Sequence, residues 1–199
     1  MNKKTYTSAI KKTPFEYLYS QKIAELMIQG LSYNEIFRKC YEENELQIVS
    51  EQRRKEVLNV VYDRLSKLDK YLLEEFLNSS IDSSKFILVY AIAISDLLFF
   101  EFLITEYRGV LLSKNKNYIS DSDFDDFFAT IKEKNTVVAN WSDRTIRQLG
   151  CGYRNIIINS GLGRREKNLI YSKKVIIKPL VAEHIKKINM PFIQAVLGD

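Results

Sequence analysis

Apolar residues recur at every third or fourth position through most of the first two thirds of the chain, which is the period of helices. Over 14–29, Leu18, Ile23, Leu26 and Met27 mark one helix, with Pro14 in its first turn and Gly30 as its stop. "SYNE", Ser32–Glu35, has the form of a capping box and predicts a short helix through about Tyr41. After Ser50, the spacing of Val57, Leu58, Val61, Leu65 and Leu68 predicts a longer helix, with Arg53, Arg54, Lys55 and Arg64 among them. Residues 70–77 add another turn or two. Ser83 or Ser84 is expected to cap the next helix, and Ser122 the one after, through about Lys134.

The run "FILVYAIAISDLLFFEFLI", 86–104, is long enough to cross a bilayer, which takes about 20 residues. Asp96 and Glu101 argue against that, because an acid at a helix centre costs about 2.5–3.5 kcal/mol on insertion scales. A helix apolar on nearly all sides also suits the centre of an all-helical domain. The expectation is a buried core helix, no membrane contact and a cytosolic protein.

The texture changes after Gly161. "NLIY" and "VIIK" are short β-prone runs separated by "SKK", Ser172–Lys174, which predicts a hairpin with Lys173 and Lys174 at its tip. Pro179 starts a last helix, through about Ile188, before a short tail ending "AVLGD". The expected fold is mostly α: a helical domain over 1–118, then a small winged-helix-like α+β module over 119–199.

Charge sharpens this picture. Residues 141–199 carry 11 Lys/Arg against 4 Asp/Glu, whereas 1–140 carry 19 against 21. Positive charge gathered in one part of a chain produces a directed field, the first sign of a nucleic-acid face. Its centre is "NWSDRTIRQLGCGYRNIIINSGLGRRE", 140–166. Ser142 is a predicted N-cap, with Asp143 in the first turn. Ile146, Leu149, Tyr153, Ile156, Ile157 and Ser160 fall on one side of the helix. Arg144, Arg147 and Arg154 lie within about 80° of one another on the other side, with Gln148 and Asn155 beside them.

Arginine suits phosphate because its planar fork donates paired hydrogen bonds and stays charged. Gln148 and Asn155 are residue types that pair with adenine edges. Arg164, Arg165, Lys173 and Lys174 extend the basic surface. The plainer alternative is a solvated helix face. Gly150 and Gly152 imply a kink, a close backbone approach or the turn of a helix-turn-helix, and unbroken apolar periodicity favours one kinked helix.

Catalytic patterns are missing from the sequence. "DSDFDDFF", 121–128, fails the EF-hand pattern, since the sixth and twelfth places hold Asp126 and Lys132. "GLGRRE" lacks the P-loop spacing. Cys40 and Cys151 match no metal-ligand spacing, and His184 reads as a surface or satisfied helix residue. No enzyme activity, metal, cofactor or small-molecule substrate is expected.

The order "YTSAIKKTPF…IAELMIQGLSYNEIF…ENELQ…RLSKLD…SDLLFFEFL…DFDDFF…VVANWSDRTIRQLG…SGLG…AVLG" resembles the BrxA family of the BREX (bacteriophage exclusion) phage-defence systems. The likeness spans almost the whole chain and is most specific in "NWSDRTIRQL" and the late Leu-Gly. It implies a cytosolic accessory protein of a defence operon, acting on double-stranded DNA beside other BREX components. It also implies a NusB-like helical bundle and a winged-helix-like C-terminal part. The family has no strict base-reading motif to carry over, so the candidate residues rest on the helix-face argument. An adaptor whose basic face meets an acidic partner, or an RNA-binding protein, are the alternatives.

Overall fold

Helices form over most of the stretches where the apolar spacing predicts them, and side-chain caps start many of them. The computed structural model describes residues 6–113 and 115–198. α1 (Tyr17–Ile28) starts after Pro14, because Glu16 takes a left-handed conformation with φ 50° that holds the preceding residues out of the helix. α2 (Tyr33–Phe37) carries the capping box: the Ser32 N–H donates to the Glu35 carboxylate at 2.8 Å, and the Glu35 N–H to the Ser32 hydroxyl. It runs on through a wide π-type turn at Arg38–Glu42. α3 (Glu51–Leu65) is capped by Ser50 and α4 (Lys70–Asn78) by Asp69.

α5 (Ile81–Ser95) is capped by Ser80, not by Ser83 or Ser84. Both of those hydroxyls are buried and used elsewhere: Ser84 donates to the Phe76 carbonyl, and Ser83 accepts the Lys178 N–H at 2.8 Å. The apolar run is not one helix either. The chain leaves the helix at Asp96, whose carboxylate accepts the Phe99 N–H at 2.9 Å and caps α6 (Leu97–Phe102). Stretches 81–95 and 97–112 meet at 113°. Asp96 prefers to cap a backbone rather than sit inside a helix, and that local competition breaks the run. Among the described residues no single helix is long and apolar enough to cross a membrane; this bent pair passes by length and composition, and most of it is core. A second wide turn at Leu103–Tyr107 leads into α7 (Arg108–Leu112).

The second part builds a small sheet around a long helix. β1 (Tyr118–Ile119) is followed by α8 (Asp121–Lys134), capped by Ser120 rather than Ser122, then α9 (Thr136–Ala139) and α10 (Asp143–Asn159). β2 (Gly163–Glu166) and β3 (Leu169–Ser172) complete an antiparallel sheet in the order β1-β3-β2, with Tyr171 opposite both Tyr118 and Arg164. The hairpin therefore turns at Lys167–Asn168, and Lys173 and Lys174 lie past its open end, not at its tip. "VIIK" forms no strand. Its Val175 and Ile177 pack against the core, and its last N–H is tied to Ser83.

The chain then returns to the bundle. α11 (Pro179–Ile188) is anchored by Lys178 on Glu75 at 2.7 Å and by His184 on Asp69 at 2.6 Å. His184 also packs on the Tyr71 ring, so it is the satisfied helix residue expected. The "tail" is in fact helical. α12 (Met190–Leu197), capped by Asn189, sets Phe192 against Phe86 and Tyr90 with ring centroids 5.4 and 5.1 Å apart.

Candidate nucleic-acid interface

α10 is a single unbroken helix of 17 residues, so Gly150 and Gly152 make no turn. Ser142 accepts the Thr145 N–H at 3.2 Å to start it, and Asp143 in the first turn pairs with Lys132. Its apolar side is locked in place. Leu149, Tyr153, Ile156 and Ile157 are buried, and the Tyr153 ring sits among Phe99, Phe102 and Phe128 at 5.0–5.6 Å. Burial raises the Tyr153 pKa well above its ordinary value, and among the described residues its hydroxyl has no hydrogen-bond partner.

The N-terminal segment crosses one flank of α10. Tyr6 donates to the Glu101 carboxylate, and Thr7 donates to Asp96 at 3.2 Å. At the other end, Arg53 donates to the Lys12 carbonyl at 2.7 Å and Arg64 to the Thr13 carbonyl at 2.6 Å. Between these anchors Ile10 meets α10 at Gly152. The arginines of α3 thus act inside the fold as staples. Burial lowers the Arg64 pKa to about 10, against the pull of Asp96. Burial likewise raises Asp96 above its ordinary value, although the Phe99 N–H, Thr7 and Arg64 favour its charge.

The outward side of α10 carries Arg144, Arg147, Gln148, Cys151, Asn155 and Asn159, all exposed. Among the described residues, Arg144 and Arg147 have no carboxylate partner, and nor do Arg165, Lys167, Lys173 and Lys174. Arg154 differs: it pairs with Asp121 at 2.7 Å and lies over the Phe124 ring, 4.1 Å from its centroid. Arg164 pairs with Glu166 on the same face of β2.

Two hollows border the helix. Between α8, α10 and the hairpin, a cleft of about 410 Å³ brings together Arg147, Arg154 and Arg165 with Asp121 and Asp125 above an apolar floor. On the opposite flank, Asn155 and Asn159 face Phe15, Tyr17 and Tyr19 across a groove of about 490 Å³. Asn155 is therefore set apart from the cleft that holds Arg147 and Arg154. Lys173 shares a third hollow with Arg164, Arg165 and Tyr171 at the hairpin's outer side.

A profile of the BrxA family matches residues 4–189. A curated relative, "BREX protein BrxA" of Bacillus cereus (strain H3081.97), is 31% identical over 95% of this chain and 94% of its own length. The chain belongs to the BrxA family. Membership gives it an accessory role in BREX phage defence. The BrxA-family fold has a solved counterpart in an uncharacterized protein from Magnetospirillum magneticum. Its crystal structure superposes with a TM-score of 0.81 at 19% identity, covering 96% of this chain and 97% of that one.

Lys167, at the turn with φ 53°, is the cation the sequence reading overlooked. Two-residue hairpin turns are recognised by Asn-Gly or Asp-Gly, and Lys-Asn gives no such signal.

Proposed function

We propose that this BrxA-family chain is a non-enzymatic, DNA-binding accessory protein of BREX defence, contacting duplex DNA through α10 and the β2–β3 hairpin. The observation that carries the reading is the outward face of α10. Arg144, Arg147 and Gln148 project from a helix whose other side is fixed by a buried aromatic cluster, so the backbone points from which they extend are set before any ligand arrives. Arginine forks held on a rigid element lose little freedom on meeting phosphate. The order β1, α8, α9, α10, β2, β3 with sheet order β1-β3-β2 supports a winged-helix reading, in which α10 takes the groove and the hairpin the flanking backbone. Arg165 and Lys167 near the hairpin turn would reach one phosphate strand, while Arg164, Lys173 and Lys174 extend the surface at its base. Gln148 and Asn155 are the candidates for base contact. Other BREX components and double-stranded DNA are the partners.

Electrophoretic mobility shift with duplex DNA, single strands and RNA at two salt concentrations tests this. Duplex binding that weakens steeply with salt supports it, whereas a preference for RNA transfers the basic face to a different polymer. One observation favours a second reading, a protein contact within the defence complex. Leu18, Ile176 and Leu180 are large apolar residues left 75%, 85% and 65% exposed. No shift with any nucleic acid would bring that adaptor reading forward.

A further inference from the structure

Arg154 is the cation of α10 whose side chain is already engaged, and three features of the fold are fitted to that engagement. Asp121, the first residue of α8, supplies a carboxylate at 2.7 Å. Phe124, one turn further on, supplies a ring face 4.1 Å below the guanidinium. Gly150 supplies space, since a Cβ there would stand 3.1 Å from the Arg154 Nη1. Arg147 and Arg165 line the same cleft, as does Asp125. The side chains of Arg154 and Asp121 are 25% and 66% exposed, so the pair is open to solvent on the carboxylate side.

From this we infer that the cleft between α8, α10 and the hairpin is a phosphate seat held closed by an internal anion, with Asp121 standing where a backbone phosphate would sit. The inference rests on the DNA-binding reading above and adds regulation to it. An exposed ion pair is held weakly, so a phosphate approaching Arg147 and Arg165 can exchange with Asp121 for the Arg154 fork. Phe124 keeps the guanidinium plane in place during the exchange. Asp121 then limits affinity for DNA in general, because each duplex must displace the same carboxylate before gaining the contact. Asp125 adds a second negative charge that the incoming phosphate must tolerate.

The test is a cycle of variants measured by fluorescence anisotropy on a labelled duplex of about 20 base pairs, whose binding falls with salt in proportion to the phosphates contacted. Asp121→Asn keeps the side-chain size and removes the charge. It should tighten binding about five- to tenfold and steepen the log K against log salt slope by about 1 unit. Arg154→Ala in the otherwise native chain should change affinity less than about twofold, because the wild-type contact is gained only after Asp121 is displaced. Combining the two should abolish the gain. Wild-type affinity in Asp121→Asn, or a gain that survives Arg154→Ala, overturns the proposal, the latter by showing simple charge removal. Arg144→Ala/Arg147→Ala separates this from the parent reading. Lost binding there with no effect of Asp121→Asn sinks the closed seat alone, and intact binding there sinks the DNA face and the seat together. Circular dichroism melts of each variant guard against unfolding.

Discussion

Ile10 lies so close to Gly152 that a Cβ on residue 152 would stand 2.6 Å from the Ile10 Cγ2 and 2.9 Å from its carbonyl oxygen. The N-terminal segment and α10 touch backbone to backbone there. Glycine at 152 is the condition for that contact, and the contact positions α10 against the bundle.

Gly152→Ala should therefore destabilise. Overpacking costs about 1–3 kcal/mol, and the gain in helix propensity returns only about 1 kcal/mol. Gly109 in α7 is the control, since a Cβ there meets nothing within 4 Å. Gly109→Ala should raise the thermal midpoint slightly while Gly152→Ala lowers it by several degrees. Calorimetry on the two variants checks the contrast.

Asp96 holds the same segment from the bundle side. Its carboxylate caps α6, accepts from Thr7 and faces the buried Arg64. Asp96→Ala loses a cap worth about 1 kcal/mol, the acceptor of Thr7, and the first of the acids, ahead of Glu16 and Asp63, that favour the buried Arg64 charge. Denaturant unfolding should show a drop in midpoint larger than for any exposed acid, such as Asp82.

Tyr153 gives the opposite sign. Its hydroxyl is buried with no partner among the described residues, so the folded state bears a desolvation cost with no bond in return. Tyr153→Phe keeps the ring among Phe99, Phe102 and Phe128 and should leave stability unchanged or raise it by about 1 kcal/mol. A clear loss would mean the hydroxyl has a partner in solution.

Acid should loosen the return of the chain to the bundle. Hydrogen bonds from Lys178 and Ser79 hold the Glu75 carboxyl below its ordinary 4.5. At Asp69 burial works against the charge, yet the Leu72 N–H and His184 hold it below 3.8. A depressed carboxyl pKa means the unfolded chain binds more protons, so this stability is present above the ordinary values and lost as pH falls through the folded ones. Glu75→Gln should flatten the fall of the melting temperature below about pH 4.5, and an unchanged pH profile would contradict the assignment.

Much of the fold was legible because periodicity and caps are local. Helices at 51–65 and 179–188, the Ser32 capping box and the amphipathic α10 all follow from residues within one or two turns. The misplacements have long-range causes. Ser83 and Ser84 read as caps, but their hydroxyls are engaged by Lys178 and Phe76. "VIIK" reads as a strand, but its apolar residues pack on the bundle, leaving polar "GRRE" as the partner of β3. The α10 face was legible from the helical wheel. The engagement of Arg154 was not, because Asp121 lies 33 positions away.

The central claim is that Arg144 and Arg147 meet phosphate. Its most direct measurement is the salt dependence of duplex affinity for the native chain and for Arg144→Ala/Arg147→Ala. With contacts from Arg144, Arg147, Arg165 and Lys167, log K should fall against log salt with a slope of about −4. The double variant, still folded by circular dichroism, should bind unrelated duplexes uniformly more weakly, with the slope reduced by about 2. A folded double variant with native affinity and native slope would contradict the account.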